Sequence, residues 1–235
     1  MTTVWIIARP PGKAADAIAE AASRLLPGHE RARARSLAAA AARTEYSAFR
    51  VGLRLVLAAA RPDLGPGMAF AHGPHGKPEI DGGPEFSFSA TPGLALAAVS
   101  RSGPVGVDVE RVRDMGDARA GLARAPGLAR FRDPADEALG PDIAFLRAWT
   151  RLEAGLKREG RTLGSALGML GPGPGRAGIA GGPAAAASLR IDDLDIAHGF
   201  IAACAHGERA ALTLRTFDWG DWPRQPDRRR DTGSD

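Results

Sequence analysis

The sequence predicts an α+β fold of two similar subdomains that meet near residue 104. Three observations carry this reading. The chain has 235 residues and 44% hydrophobic content, enough for one large domain or two small ones with a real core. Each half runs through helical stretches and then short strands, with no repeat of the residues themselves. The apolar period also switches along the chain: Phe49, Leu53, Val56 and Leu57 recur at helical spacing, whereas Val105, Val107 and Val109 alternate with other residues at strand spacing.

In chain order, "TTVWIIAR" (2–9) reads as a first strand closed by Pro10 and Pro11. Alanine-rich helices are expected near 13–26 and 30–42, then a stronger helix over 45–60 that Pro62 ends. The segment "GMAFAHGPHGKPEIDGGPEF" is rich in turn residues. "FSFS" (86–89) and "LALAAVS" (94–100) read as strands joined at Pro92-Gly93, followed by a strand over 104–111. A helical stretch near 117–125 and a helix over 142–159 come next. "GPGPGRAGIAGGP" (171–183) reads as a flexible loop, and strands near 186–191, 198–205 and 209–217 complete the fold. The final "RQPDRRRDTGSD" has the composition of a disordered tail.

A single cysteine, Cys204, excludes an internal disulfide and suits a reducing compartment; its apolar setting, "FIAACA", predicts an inert buried thiol. The start shows no signal peptide and no stretch has the length to span a bilayer, so a cytoplasmic protein without membrane contact is expected. The formal net charge of +4 suits an anionic partner, and alone it does not separate nucleic acid from a phosphorylated small molecule. Only three of the 31 basic residues are lysines, Lys13, Lys77 and Lys157, in a chain that otherwise writes Arg.

The strand "VGVDVE" (105–110) sets Asp108 and Glu110 on one face, since strand residues two apart point the same way. An edge strand with a solvated polar face would show this pattern. So would a hard-cation site, because Mg²⁺ takes one or two carboxylates together with substrate phosphate oxygens. The helix "FLRAWTRLEAGLKREG" (145–160) has an apolar stripe of Phe145, Trp149, Leu152 and Leu156, with Glu153 and Lys157 four apart on its flank. These two could form an ordinary surface ion pair. They could equally supply a third carboxylate at a cleft and an ammonium to meet a phosphate.

Taken together, these segments resemble the 4′-phosphopantetheinyl transferases of the surfactin-synthetase type. The family strand "G-[IV]-D-[IV]-E" is "GVDVE" (106–110) here, and the family helix "W-x-x-K-E-[AS]-x-x-K" is "WTRLEAGLK" (149–157). The family's "G-K-P" turn is matched by Gly76, Lys77 and Pro78, and its "F-N-x-S-H-S" strand by "FSFSAT" (86–91). The helix runs on into "KREGRTLGSAL", similar to the family's "K-x-x-G-x-G-L". Order and spacing hold over roughly residues 45–165.

The resemblance implies two α/β subdomains related by a pseudo-two-fold axis. Residues 1–104 would hold the coenzyme A 3′-phosphate side, 105–220 the metal and the catalytic glutamate, and 221–235 would be the tail. It implies transfer of phosphopantetheine from coenzyme A to a serine of an acyl or peptidyl carrier protein, releasing 3′,5′-ADP. Asp108, Glu110 and Glu153 would hold Mg²⁺ or Mn²⁺, Glu153 would also be the general base, and Lys157 would hold a phosphate oxygen. Lys77, Pro78, Ser89 and Thr91 match positions around coenzyme A. Arg50 is the best match to a family arginine at the 3′-phosphate, with Arg54 the other choice. The family's two-subdomain form implies a monomer.

Two positions depart from the family pattern. Ala90 stands where the family has histidine, and Leu152 where it has the lysine before the glutamate. Each removes a charge-assisted contact worth about 1.5–3 kcal/mol, which points to weaker coenzyme A handling. A non-catalytic relative that binds a carrier protein or coenzyme A is the competing expectation.

Other features carry less. His72 and His75 lie in a Gly/Pro turn without further ligands in sequence, and "GPGPGRAG" lacks the "GK[ST]" ending of a phosphate-binding loop. "IDDLD" (191–195) reads as a solvated acidic turn. Trp219 and Trp222 are expected to pack the C-terminus onto the body, and aromatic residues interleave too sparsely with Arg for nucleic-acid binding.

Overall fold

A computed structural model describes residues 1–122, 127–161, 189–207 and 211–220. The loop at 171–183, the tail at 221–235 with Trp222, and the helix continuation past 161 lie outside these residues. The fold is α+β. It begins with β1 (Thr2–Ala8), then α1 (Ala15–Leu25), α2 (Gly28–Ser36) and α3 (Ala40–Ala60). The expected helix over 30–42 is broken: Leu37 and Ala39 are extended, and α3 starts five residues early. The Arg43 guanidinium donates to the carbonyls of Leu37 and Ala38 at 2.9 and 2.7 Å, satisfying acceptors the break leaves open.

The turn-rich segment contains a minimal hairpin of β2 (Ala71–His72) and β3 (Pro78–Glu79) that local composition did not reveal. Then come β4 (Glu85–Thr91) and β5 (Leu94–Ser100), joined through Pro92-Gly93, where Gly93 takes φ +99°. After β6 (Gly106–Arg111) come α4 (Gly116–Leu122), two 3₁₀ segments at 128–131 and 134–139, and α5 (Pro141–Arg158). The chain closes with β7 (Leu189–Asp193), β8 (Phe200–Gly207) and β9 (Leu212–Thr216).

One sheet has the order β4-β5-β1-β9 and another the order β6-β8-β7. The two halves use the same plan. The first strand of each half pairs antiparallel with the second strand of a later antiparallel pair: β1 with β5, and β6 with β8. The element-order likeness of the halves thus extends to strand order. β9 departs from it, because it crosses to lie parallel beside β1 in the first half's sheet.

The layers follow from period-2 alternation. Ala95, Ala97 and Val99 of β5 pack with Phe49, Leu53 and Leu57 of α3, while Leu94, Leu96 and Ala98 on its other face meet Val107 and Val109 of β6 and Val105 just before it. Both faces of β5 are therefore covered, which explains its unbroken apolar run. The far side of the second sheet packs on α5, with Ala203 and Ala205 against Ala154. Trp219 joins the α3 core, and its indole N–H donates to the Ala8 carbonyl at 2.9 Å. The expected acidic turn at 191–195 is instead mostly strand: Asp192 pairs with His206, and Asp193 with Arg151.

Candidate active site

With its valines turned into the inter-sheet core, β6 presents Asp108 on the opposite side, toward α5. Strand and helix come unusually close here. A Cβ on Gly106 would lie 2.0 Å from the Ala154 carbonyl oxygen and 2.4 Å from the Arg158 nitrogen, so only glycine fits. This approach lets a short strand carboxylate reach the helix.

Lys157 of α5 donates from Nζ to Asp108 Oδ1 at 2.6 Å and to Ser89 Oγ at 3.1 Å. Ser89 of β4 donates its own hydroxyl proton to Asp108 Oδ1 at 2.8 Å. Three elements thus meet on one carboxylate oxygen. Asp108 is 5% exposed, so it is not solvated, while Glu110 farther along the same face is part-exposed. Its second oxygen, Oδ2, is buried and accepts no hydrogen bond among the described residues. A buried anionic oxygen without a partner is costly, and it is the atom here best suited to a cation.

Glu153 lies one turn before Lys157 on α5. Burial raises its carboxyl above the usual range; the Lys157 ammonium opposes this, and the Asp108 and Glu110 charges add to it. Glu110 accepts from Arg113 at 2.7 Å. The three carboxylates feel one another, yet among the described residues no group of three His, Cys, Asp or Glu side chains converges as a metal site. Lys77, in the turn between β2 and β3, donates to Glu85 and to the Val105 carbonyl, each at 3.4 Å. Pro78 opens β3 and Thr91 ends β4.

Arg50 lies elsewhere. On α3 it donates through Nε to Glu30 Oε1 at 2.8 Å, and its guanidinium sits 5.5 Å from the centre of the Phe88 ring. Arg54 is 1% exposed and meets Glu30 Oε2 at 3.1 Å, so Arg50 is the more accessible of the two. Both line a cavity of about 270 Å³ with Arg24, His29, Phe70 and Glu30, a lining with an excess of positive charge. Phe88 and Ala90 share one face of β4, and Ser87, Ser89 and Thr91 share the other. The residues matched to coenzyme A therefore divide: Arg50 faces this cavity, whereas Ser89 sits at the carboxylates. Sequence reasoning missed Glu30, Arg24, His29 and Phe70. The alternation in "FSFS" was the available signal for the division.

Of the two departures, Leu152 is 1% exposed and packs with Phe145, Leu146 and Leu156, while Ala90 is exposed. Cys204 is fully buried, and burial pushes its thiol up to about 12, as its apolar setting predicts. Among the described residues no helix is long and apolar enough to cross a membrane. Compared with known proteins, the chain matches no family model and no curated protein.

Proposed function

We propose that this protein transfers the 4′-phosphopantetheine group of coenzyme A to a serine of an acyl or peptidyl carrier protein, releasing 3′,5′-ADP. The observation that supports this best is the meeting of Ser89, Asp108 and Lys157, from three separated motifs, on one oxygen beside Glu153. The strand order shared by the two halves supports a pseudo-two-fold transferase architecture, divided near residue 104. We propose a cytoplasmic monomer acting on small-molecule and protein substrates, without a nucleic-acid partner.

In this reading Glu153 takes the proton of the carrier serine as its oxygen bonds to the phosphopantetheine phosphorus. The bond from that phosphorus to the 3′,5′-ADP oxygen breaks, and the leaving group keeps the electron pair. A carboxyl held above its usual range by burial is a stronger base than an exposed one. Lys157 leaves Asp108 to hold a phosphate oxygen as a point charge. In this reading a divalent cation would be held by Asp108, whose Oδ2 has no hydrogen-bond partner among the described residues, and by Glu110 on the same strand face, with Glu153 drawing in beside them from positions that do not yet converge. Such an ion, Mg²⁺ or Mn²⁺, would neutralise charge building on the pyrophosphate. The positively charged cavity at Arg50 suits the 3′-phosphate of coenzyme A; Pro78 pairs across from its lining residue His72, whereas the Lys77 ammonium is directed to Glu85 and the Val105 carbonyl.

Intact-mass spectrometry of apo carrier proteins, incubated with this protein, coenzyme A and Mg²⁺, tests the reading. The expected result is one added phosphopantetheine, abolished by EDTA. Ala90 favours a second reading, a module that binds carrier protein or coenzyme A without turnover, because it leaves the Arg50 side of β4 without an imidazole. Coenzyme A binding with no mass gain on any carrier protein would select that reading.

A further inference from the structure

We propose that Ser89 is a positioning residue for Asp108 and takes no part in holding the 3′-phosphate of coenzyme A. The inference rests on the transferase reading and reassigns a residue within it. Ser89 is 8% exposed, which leaves its hydroxyl little access to a bulky ligand. It lies on the face of β4 away from Phe88, the ring over which Arg50 sits. Its hydroxyl donates to Asp108 Oδ1 at 2.8 Å and accepts from Lys157 at 3.1 Å.

An aspartate on a strand can turn its carboxylate about the terminal torsion, which has broad wells. Two donors on Oδ1 fix that torsion and leave Oδ2 presented without a partner. Lys157 cannot serve as the lasting anchor if it moves to a phosphate during the reaction. Ser89 then becomes the constraint that remains. Partners that orient a metal-binding carboxylate act in this way on metal affinity.

Ser87 provides the contrast. It shares the strand and the face, and its Oγ accepts from the Val107 backbone N–H at 3.1 Å. It ties β4 to β6 without a hydrogen bond to Asp108, so it reports the structural effect of loosening the two strands.

Mn²⁺ titration of the full chain by electron paramagnetic resonance, alone and saturated with coenzyme A, tests the proposal, together with the ratio of affinities for coenzyme A and dephospho-coenzyme A. Ser89→Ala is expected to weaken Mn²⁺ binding about 10- to 100-fold and leave that ratio unchanged. Ser89→Thr, which keeps the hydroxyl, should restore most of the affinity. Ser87→Ala should lower the melting temperature and leave Mn²⁺ affinity alone. Unchanged Mn²⁺ binding in Ser89→Ala, a collapse of the coenzyme A ratio in it, or equal Mn²⁺ weakening in Ser87→Ala would overturn the assignment. Failure of the wild-type chain to bind Mn²⁺ would overturn the transferase reading itself, and is distinguished by occurring before any substitution.

Discussion

Gly106 of β6 faces the α5 backbone and Gly155 of α5 faces Ile191 and Phe131, and alanine at each should act in opposite directions. At Gly106 the added Cβ would stand 2.0 Å from one α5 backbone atom and 2.4 Å from another. Neither is the end of a side chain that could swing aside. Restoring van der Waals contact requires strand and helix to part by about 1.4 Å. Overpacking of this kind costs about 1–3 kcal/mol, and backbone neighbours place Gly106→Ala at the upper end. In a chain of this length that lowers the melting temperature by roughly 6–12 °C. The Lys157–Asp108 contact would lengthen from 2.6 Å by a similar distance and cease to be a hydrogen bond. On the proposed transferase reading, a displacement of that size should lower transfer about 100-fold or more. At Gly155 the added Cβ would meet Ile191 and Phe131 at 3.8 Å, an ordinary contact. Gly155→Ala therefore gains helix propensity, up to about 1 kcal/mol, and should raise the melting temperature by a few degrees. Scanning calorimetry on both variants decides the matter. A Gly106→Ala melting temperature within about 2 °C of wild type would refute the close approach and the placement of Asp108 that depends on it.

On the proposed transferase reading, Glu153→Gln should abolish transfer while coenzyme A still binds, measured by mass gain and calorimetry. It should also stabilise the substrate-free protein at neutral pH. A carboxyl raised in the folded state is penalised once ionised, so the gain over wild type appears as pH climbs through its raised value and vanishes below the usual carboxylate range. Leu152→Lys installs the lysine of the motif that the helix resembles but places an ammonium where Leu152 is 1% exposed, so a fall of at least about 5 °C in melting temperature is expected, with no gain in the proposed transfer. Cys204 should resist alkylation at pH 8 in the native protein and react fully in denaturant, because burial pushes its thiol up to about 12.

Local periodicity made much of this molecule legible in the sequence. Alternation set the valines of β6 apart from Asp108, and the apolar stripe of α5 separated Leu152 and Leu156 from Glu153 and Lys157. Partners across long separations were not legible in the same way. Nothing in "IDDLD" shows that Asp192 will meet His206 and Asp193 the α5 residue Arg151, because those pairings depend on which strands become neighbours. β9 likewise reads as a strand wherever it goes, and only the assembled sheet places it beside β1.

The break between α2 and α3 is not legible in the sequence because alanine favours helix throughout, and the carbonyls it leaves open are met by the guanidinium of Arg43, five and six residues further on. Ser89 shows the limit most clearly. A motif match places a residue in a neighbourhood, and the face of its strand then decides what it can touch. In "FSFSAT" the odd and even positions look toward different ligand groups. Phe88 looks toward Arg50 and Ser89 toward Asp108, while Phe86 packs in the α3 core and Ser87 ties to the Val107 backbone. One strand therefore meets both Arg50, through Phe88, and Asp108, through Ser89, and Ala90 falls on the Phe88 face, away from Asp108.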